Sequence, residues 1–403
     1  MANPVFAHRS FLFFLASRVA TTMASQMMMV AVGWQMYELT SSAYDLGLVG
    51  LFQFAPSLAL ILVVGHVADR YDRRRIMAIC LTLQMFVTCV LVWGTWAGWV
   101  TREAILIASL ALGAIKAFQM PTQQALAPLL VPGRLLPQAL AMSSAGAQSA
   151  TIIGPAIGGF LYVGGAGAVY AICGTLFVAA AILVSCIRFD HAPAPRERVS
   201  MKTLVAGLTF IWTRKEVLGA VSLDLFAVLL GGATALLPIF AKDILHVDAW
   251  GMGLLRSAPA VGALLMSVYL STWPIQRRVG KTMFGAVAAY GLATIVFGLS
   301  TSFWLSFAAL LVSGMFDMVS VVIRQSLVQL ETPNDMRGRV AAVNSIFIGA
   351  SNQLGEFESG MTAGWFGAVA SVVLGGVGTL LIVAGWMRLF PTLTQRERLV
   401  EDD

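Results

Sequence analysis

Charged side chains are scarce in this sequence. Of its 403 residues only 11% are charged, 58% are hydrophobic, and the mean hydropathy is +0.81. A soluble globular domain carries about 25% charged residues, so a soluble fold of this size has no way to hide so much apolar surface. Lipid must therefore be the solvent for much of the chain, and the bilayer is its first expected partner. The net charge of +6 does not by itself indicate a nucleic-acid partner.

Histidine and cysteine are also sparse, with four of each. The cysteines lie inside apolar runs, without the spacing of disulfides or metal ligands: Cys80, Cys89, Cys173 and Cys186. The histidines lie in loops or near the ends of runs and form no ligand set or nucleophile–base pair: His8, His66, His191 and His246. A phosphate-binding Walker loop is missing too. We therefore expect no enzyme, no metal, no cofactor and no direct drive by ATP.

Long apolar runs dominate what is present. A helix of about 20 residues spans the hydrocarbon core, and runs this long and unalternating exclude a barrel. The runs predict an all-α membrane protein with twelve transmembrane helices: 11–37, 46–66, 76–98, 104–130, 138–163, 167–187, 218–240, 252–272, 283–301, 303–328, 340–364 and 368–390.

The basic residues of the loops are strongly asymmetric. Loops on one predicted side hold twenty Lys and Arg residues, and those on the other side hold two, Arg102 and Lys242. Cytoplasmic loops carry such an excess of positive charge, so the first side is predicted to be cytoplasmic. An even number of spans then places both termini in the cytoplasm.

The longest hydrophilic segment, "RFDHAPAPRERVSMKTLVAG", joins spans 6 and 7. Its prolines favour an extended linker, and a short amphipathic helix over about 201–213 is expected to follow at the membrane interface. The sequence thus predicts a six-helix half at 1–187, a cytoplasmic linker at 188–216 and a second six-helix half at 217–403.

The two halves show traces of an internal repeat. A shift of 201 residues aligns four informative pairs in and after spans 4 and 10: Gly113 with Gly314, Gln124 with Gln325, Pro132 with Pro333, and Ser144 with Ser345. A weaker match relates "YDLGLVG" to "WGMGLLR", each opening the second span of its half. Two six-span pseudo-repeats joined by a linker indicate a transporter with its substrate site near the midplane.

The stretch "GHVADRYDRRR" between spans 2 and 3 resembles the loop signature of the major facilitator superfamily. Five residues match that signature: Gly65, Asp69, Arg70, Arg73 and Arg74. The resemblance implies a conformational switch in which the Asp69 carboxylate caps the start of span 11, where the helix dipole is positive. A loop that only anchors topology is the alternative, although topology needs cations and does not need Asp69.

A second motif, "GPAIGG" in span 5, looks like that of the exporter and antiporter branch of the same superfamily. Its four small residues are Gly154, Pro155, Gly158 and Gly159. They would let helices approach closely and bend span 5, biasing which face opens; ordinary small-residue packing is the alternative. Two further stretches, "GWQMYELTSSAYDLGLVG" and "TPNDMRGRVAAVNSIFIGASNQLGEFESG", are similar to the enterobactin-exporter-like branch, which includes macrolide-efflux proteins.

Ionisable residues at membrane depth are costly and mark candidate sites. Eight fall inside predicted spans: Arg18, Lys116, Asp224, Arg256, Asp317, Arg324, Glu356 and Glu358. Six of these are predicted to line a substrate and proton pathway: Arg18, Lys116, Asp224, Asp317, Arg324 and Glu356. Structural partners within one half are the alternative for each. Proton-coupled exporters of this family usually carry an arginine in span 4, where this sequence has Lys116.

Polar residues at helical spacing predict which face of spans 10 and 11 these charged residues share. Ser313, Asp317, Ser320 and Arg324 share one face of span 10, and Ser345, Asn352, Glu356 and Ser359 share one face of span 11. Glu358 lies about 200° round the helix from Glu356 and is predicted near the outer interface. Asp224, Asp317 and Glu356 are the candidate proton carriers, and Asp317, next to Arg324 on the stripe, is the preferred one. In the internal repeat, Lys116 occupies the position equivalent to Asp317. The two side chains either form an ion pair with each other or contact the substrate separately.

The resemblance and the charges together imply a secondary active transporter working by alternating access. The resemblance also implies that it lies in the inner membrane of a bacterial cell. We expect proton-coupled export, with antiport, of a small amphipathic or anionic molecule, siderophore- or drug-like, by a monomer. Uptake or facilitated exchange by the same fold is the alternative. The cations Arg18, Lys116 and Arg324 would suit an anionic ligand, and abundant Met and Phe would suit an amphipathic one.

Overall fold

The computed structural model describes residues 5, 8–60, 63, 64, 67, 70–188, 201–333 and 336–398, and it contains helices and no strand within them. Twelve long helices follow the chain in the predicted order: α1 Arg9–Thr40, α2 Ala43–Ala59, α3 Arg73–Trp96, α4 Arg102–Leu126, α5 Leu136–Leu161, α6 Ala166–Ser185, α7 Lys215–Leu230, α8 Ala249–Thr272, α9 Val279–Leu299, α10 Phe303–Glu331, α11 Arg337–Phe366 and α12 Ala368–Leu389. The structure also contains a linker helix, Met201–Thr213, and a short C-terminal helix, Pro391–Gln395.

Length and composition explain why these helices suit a bilayer. Eight of the described helical segments are long and apolar enough to cross a membrane. The 21 residues of α9, for example, rise about 31 Å, close to the hydrocarbon thickness. Local capping fixes where two helices begin: the Asp72 carboxylate accepts the Arg74 amide at 2.8 Å, and the Thr101 hydroxyl accepts the Ala104 amide at 3.4 Å. The predicted all-α, twelve-helix class is confirmed.

The helices pack in the same pattern in both halves of the sequence. In the first half α3 packs on α6 and α4, and α1 packs on α5 and α6. In the second half α9 packs on α12 and α10, and α7 packs on α11 and α12. Each contact of the first half thus has a counterpart six helices later, which confirms the pseudo-repeat.

Two compact units form, and they exchange short segments. Unit 1 contains Met1–Ser41, Phe52–Arg198 and Asp248–Ser257, and unit 2 contains Ser42–Leu51, Val199–Val247 and Ala258–Asp403. The start of α2 therefore packs with unit 2, and the start of α8 packs with unit 1. These are the segments that hold "YDLGLVG" and "WGMGLLR", so the weak sequence match falls where the exchange occurs. The predicted domain boundaries at 187 and 217 stay a prediction.

The chain that leaves α6 ties together the starts of two helices in unit 1. The Ser10 hydroxyl, at the start of α1, donates to the Arg188 carbonyl at 2.7 Å. The Arg74 guanidinium, at the start of α3, donates to the Ile187 carbonyl at 2.9 Å. These bonds satisfy backbone acceptors at the end of α6 and hold three helix ends together.

The chain that leaves α12 does the same in unit 2. The Val279 and Gly280 amides, at the start of α9, donate to the carbonyls of residues 397 and 396 at 3.3 and 3.0 Å. The Arg396 guanidinium pairs with Glu216 at the start of α7 and with Glu331 at the end of α10, the latter at 2.7 Å. This C-terminal strap, residues 391–398, therefore links three helices.

Helix α7 is interrupted, although the sequence predicted one continuous span over 218–240. The helix ends at Leu230, and Gly231 and Gly232 lead into a 3-10 turn at Ala233–Leu236, a helical turn at Leu237–Ile239 and a wide turn at Phe240–Ile244. Each glycine costs a helix interior about 1 kcal/mol relative to alanine, so a Gly-Gly pair is a weak point.

The linker helix lies against the start of α11. A Cβ on Gly207 would lie 2.7 Å from the Arg339 carbonyl oxygen, so the two backbones touch at this glycine. Ile211 is buried with Val340 and Val343 of α11 in a small apolar cluster. The helix predicted over 201–213 is present with these bounds, and it is part of unit 2.

Candidate functional site

A cavity of about 240 Å³ is lined by residues of unit 2. Five helices and the turn after α7 contribute to its wall, and more of its lining is apolar than polar. The lining residues are Val228, Gly231, Gly232, Ala233, Thr234, Pro259, Tyr290, Thr294, Phe297, Leu310, Ser313, Gly314, Asp317, Asn352 and Glu356. Two carboxylates face this space, and no Lys, Arg or His is among the described lining residues.

Asp317 is the carboxylate that α10 supplies to the cavity. No hydrogen bond reaches it from the described residues, while Asp224 and Arg324 lie close enough to act on it electrostatically. Ser313, one turn earlier on α10, also lines the cavity, as the predicted polar stripe requires. The stripe thus brings Asp317 to the cavity wall, where no described residue donates a hydrogen bond to it.

Arg324 pairs with Asp224 of α7 and not with its stripe neighbour Asp317. The Arg324 Nη1 and Asp224 Oδ2 atoms are 2.7 Å apart, and the residues are 3% and 6% exposed. Residues seven apart on one helix lie about 10.5 Å apart along the axis, whereas a neighbouring helix offers a partner at contact distance. The guanidinium therefore has a carboxylate partner within unit 2, and the expectation that it would receive an anionic ligand stays a prediction. Its Nε atom is buried without a partner among the described residues.

Tyr290 of α9 joins the cavity to the break in α7. Its hydroxyl donates to the Gly231 carbonyl at 3.1 Å. A Cβ on Gly231 would lie 2.5 Å from the Tyr290 hydroxyl oxygen, and one on Gly232 would lie 2.3 Å from the Gly355 carbonyl oxygen. Two glycines are therefore needed where α9 and α11 press against the turn.

Glu356 of α11 faces the cavity, as its predicted stripe position requires, together with Asn352 one turn earlier. Its carboxylate also lies beside α2: a Cβ on Gly50 would be 2.9 Å from Glu356 Oε2. The Asn352 amide nitrogen donates to the Ile348 carbonyl at 2.9 Å. Glu358, on another face of α11, does not line the cavity and contacts the Ser359 hydroxyl.

Two predicted cations lie in unit 1. The half-buried Arg18 of α1 donates to the Ser143 hydroxyl of α5 at 2.7 Å, which gives it a partner within its own unit. Lys116 of α4 is exposed and interacts with another residue. A relation between Lys116 and Asp317 stays a prediction.

Part of the predicted switch in the loop between α2 and α3 lies outside the described residues, namely Gly65 and Asp69. Arg70 is exposed. Arg73 donates to the Ala125 carbonyl of α4 at 3.4 Å, and Arg74 reaches the end of α6 as described above. Arg73 and Arg74 thus bind helix ends within unit 1, and the capping role of Asp69 stays a prediction.

The "GPAIGG" residues of α5 sit against α1 and the start of α8. Gly154 and Gly158 face Gln26 and Met27 of α1. On the α8 side, a Cβ on Gly159 would lie 2.3 Å from the Ala249 carbonyl oxygen, and one on Gly253 would lie 2.3 Å from the Pro155 carbonyl oxygen. The motif therefore provides two close helix contacts inside unit 1, and its effect on conformational change stays a prediction.

Arg256, at the start of α8, also belongs to unit 1. Its guanidinium contacts the Met29 sulfur of α1. It is not among the lining residues of the cavity in unit 2.

Sequence reasoning missed Tyr290, Thr294 and the break at Gly231 and Gly232. Tyr290 and Thr294 are uncharged, so the cost of burying charge did not single them out. The Gly-Gly pair within an apolar run was the available signal, because interrupted helices often line transporter sites.

Comparison with known proteins identifies the family to which this architecture belongs. The family model described as Major Facilitator Superfamily matches residues 14–356. The chain belongs to the major facilitator superfamily. It is accordingly a multi-pass membrane transporter and not an enzyme, and the predicted family resemblance is confirmed.

Curated relatives lie in the branch that the sequence motifs indicate. The chain is 27% identical to the enterobactin exporter EntS of Shigella boydii serotype 18 over 387 residues, covering 93% of this chain and 90% of that protein. It is 26% identical to the protein of the same name from Citrobacter koseri, with the same coverage.

Solved structures share the fold. A bacterial homolog of the human lysosomal transporter Spinster superposes with a TM-score of 0.76 at 14% identity, covering 100% of both chains. A bacterial homologue of the iron transporter ferroportin gives a TM-score of 0.74 at 14% identity, covering 96% of this chain and 99% of that chain. At these identities the likeness concerns the fold alone.

Proposed function

We propose that this protein is a secondary active exporter in the bacterial inner membrane. It works by alternating access, with both termini in the cytoplasm, and exchanges protons for a small amphipathic, siderophore- or drug-like molecule. The name of its curated relatives, enterobactin exporter, supports the direction of transport. The excess of basic residues in one set of loops supports the orientation.

The observation that carries proton coupling is the contrast between two carboxylates of unit 2. Asp224 is neutralised by Arg324 at 2.7 Å, while Asp317 faces the cavity without a hydrogen bond from the described residues. A carboxylate without a paired cation in a low-dielectric space is the one whose charge is most easily removed by a proton. Asp317 is therefore the proton carrier. The Asp224–Arg324 ion pair stays charged throughout and acts on Asp317 only through its electric field.

The test is transport by the Asp317→Asn variant in reconstituted vesicles. We expect loss of transport driven by a proton gradient and retention of substrate exchange without a gradient. The matched control is Glu103→Gln, which alters a side chain that is 66% exposed at the start of α4. Proton-driven transport at the normal rate by Asp317→Asn would remove Asp317 from the mechanism.

An untargeted comparison of small molecules identifies the substrate. Cells lacking the protein and cells overproducing it are compared for compounds inside the cell and in the medium. A compound trapped inside the deletion strain and enriched outside the overproducer establishes export. Depletion of a compound from the medium on overproduction would instead establish uptake, the alternative function of the same fold.

A further inference from the structure

We propose that the linker helix, Met201–Thr213, docks on the membrane leaflet at the start of α7 through an exposed apolar stripe, and that the cations at its C-terminal end bind anionic lipid headgroups. The stripe consists of Val205, Leu208 and Trp212. The sequence predicts only an interfacial position for this helix, so the face that meets lipid and the class of lipid are new. Docking requires neither substrate nor proton gradient, and it therefore stands or falls apart from export.

Two faces of the linker helix differ in what covers them. Gly207 and Ile211 lie against the start of α11. Leu208 and Trp212 each follow one of these residues in the chain, so they point about 100° round the helix from the α11 contact. Val205 shares their side of the helix, three residues before Leu208. The helix thus packs on α11 with one face and presents an apolar face roughly at right angles to it.

The stripe is apolar and well exposed. Val205, Leu208 and Trp212 are 54%, 42% and 71% exposed. Contiguous apolar surface on a helix outside the spans indicates a contact with protein or membrane, because its exposure to water is unfavourable. The helix has 13 residues and is about 20 Å long, so it is too short to cross the bilayer and can meet lipid only side-on.

The start of α7 fixes the level of the linker helix relative to the membrane. Only Arg214 separates this helix from Lys215, at which the next membrane-crossing segment begins. On the same side of the membrane, Tyr269 and Trp273 at the end of α8 are 53% and 65% exposed, with ring centroids 5.1 Å apart. Tryptophan and tyrosine concentrate at membrane–water interfaces, so Trp212 and Trp273 indicate a common interfacial belt.

Cations stand at the end of the stripe that is nearest to α7. Arg214 and Lys215 are both exposed, and the Arg214 guanidinium lies 5.9 Å from the centre of the Phe210 ring on the same helix. Glu216 follows them in the chain, but its carboxylate is paired with Arg396. The two cations are therefore not neutralised by the acid next to them in sequence, and they flank an apolar face, as in helices that bind anionic membranes.

Positive charge exceeds negative charge on this side of unit 2. Besides Arg214 and Lys215, five exposed cations lie in the loops or at the helix ends of the same side: Arg277, Arg278, Lys281, Arg337 and Arg388. Of the described acids on this side, Glu216 and Glu331 are paired with Arg396. The third, Glu397, is exposed. Anionic headgroups are therefore the partner with complementary charge.

The small size of the stripe favours lipid over a second protein. A stable protein interface involves about 20–30 residues on each side, many more than the three residues of the stripe. A bilayer sets no such minimum for a helix that is already joined to a span, because each apolar side chain is transferred separately into the interfacial region. The geometry therefore points to the leaflet itself as the occupant.

The experiment attaches a bimane fluorophore to single cysteines of the full-length protein in lipid nanodiscs and compares two quenchers. Brominated acyl chains quench from the lipid, and iodide quenches from water. The exposed cysteines Cys89 and Cys186 are first replaced by alanine. The probe position is Leu208→Cys on the stripe. The matched control is Thr213→Cys, which is also exposed but lies about 140° round the helix from Leu208.

We expect quenching by brominated lipid to be at least three-fold stronger at Leu208→Cys than at Thr213→Cys, and quenching by iodide to be at least three-fold weaker. Equal quenching by brominated lipid at the two positions would overturn the docking. Protection of Leu208→Cys from both quenchers would place protein on the stripe and would overturn it as well. If Leu208→Cys does not fold, Val205→Cys on the same stripe replaces it.

The class of lipid is tested in nanodiscs of equal phosphatidylcholine and phosphatidylglycerol, with bromine on one lipid or the other. Brominated phosphatidylglycerol should quench Leu208→Cys at least two-fold more strongly than brominated phosphatidylcholine. Adding Arg214→Gln and Lys215→Gln should abolish that difference. Adding Lys242→Gln, which alters a cation beyond the other end of α7, should leave it unchanged.

Equal quenching by the two brominated lipids in the absence of the charge substitutions would overturn the assignment of anionic headgroups. A preference for phosphatidylglycerol that persists with Arg214→Gln and Lys215→Gln would place the headgroups at other cations and overturn it too.

Discussion

The backbones of Gly47 in α2 and Gly360 in α11 are in direct contact. A Cβ added to Gly360 would lie 2.6 Å from the Gly47 α-carbon, and one added to Gly47 would lie 3.0 Å from the Gly360 α-carbon. Glu356 lies one turn before Gly360 and faces both Gly50 of α2 and the cavity. The crossing of α2 and α11 is thus built directly beside the site.

Gly360→Ala should disrupt this crossing and slow transport by roughly ten-fold, because backbone atoms have no room to yield. The measurement is the initial transport rate in vesicles at matched protein levels. Gly349→Ala is the matched control, since a Cβ at that α11 position meets nothing within 4 Å. Equal rates for both variants would show that the close crossing is dispensable.

The Asp224–Arg324 pair should behave as a buried ion pair. Arg324→Met leaves Asp224 buried without its cation and should cost about 3–5 kcal/mol of unfolding free energy, as should Asp224→Leu for the converse reason. The double variant, with both charges removed, should recover most of the loss. Additive losses in this double-mutant cycle, measured by denaturation in detergent, would contradict the pairing.

Tyr290 and Gly231 should be coupled at the break in α7. Tyr290→Phe removes one hydrogen bond and should cost about 1 kcal/mol, because Gly231 still accepts the Ala233 amide at 2.7 Å. Gly231→Ala should cost more, since its Cβ would lie 2.5 Å from the tyrosine hydroxyl oxygen. Adding Tyr290→Phe to Gly231→Ala should return part of that stability, as measured by thermal unfolding. No recovery would mean that other contacts of Gly231, such as the Ala227 carbonyl, set the cost.

Arg396 should stabilise unit 2 through its two carboxylate partners at the ends of α7 and α10. Their side chains, Glu216 and Glu331, are partly exposed at 28% and 27%. Arg396→Ala should therefore cost about 2 kcal/mol, between the values for exposed and buried pairs. Arg388→Ala, an exposed cation at the end of α12, is the control. Equal unfolding temperatures for the two variants would show that the C-terminal strap does not stabilise unit 2.

The contribution of Arg396 to the stability of unit 2 should not change between about pH 6 and pH 9. Burial by itself lowers the pKa of Arg396, but the hydrogen bonds and charges of Glu216 and Glu331 outweigh it and raise the pKa above its ordinary value. Stability from a raised pKa is complete below the pKa of the unfolded state and is lost as pH rises through the pKa of the folded state. Arginine titrates above about pH 12, so the difference between wild type and Arg396→Ala should be flat over this range. A difference that shrinks between pH 7 and pH 9 would contradict this assignment.

Much of the fold could be predicted because the bilayer imposes a simple rule on sequence. Every span must be long, apolar and internally hydrogen-bonded, so twelve runs predict twelve helices. The break in α7 was not predicted, because Gly231 and Gly232 keep the run apolar while weakening the helix. The contacts that stabilise the break come from Tyr290 and Gly355, which pack against Gly231 and Gly232 and are distant in sequence.

The candidate site was predictable in part for a related reason. Charge at membrane depth is expensive, so Asp317 and Glu356 stood out in the sequence, and helical periodicity placed Ser313 and Asn352 on the same faces. The partner of Arg324 did not stand out, since Asp224 is on another helix and its contact depends on packing.

The sequence by itself determined the solvent of this protein, its helix count, its family and the residues at which charge enters the membrane. These follow from composition and local periodicity, which are properties of short stretches of chain. Only the tertiary structure decided that Arg324 pairs with Asp224, that Asp317 lines a cavity, and that the Tyr290 hydroxyl donates to the Gly231 carbonyl. Hydrogen-bond direction and ion-pair choice depend on distances between separate helices, and those distances are set by packing.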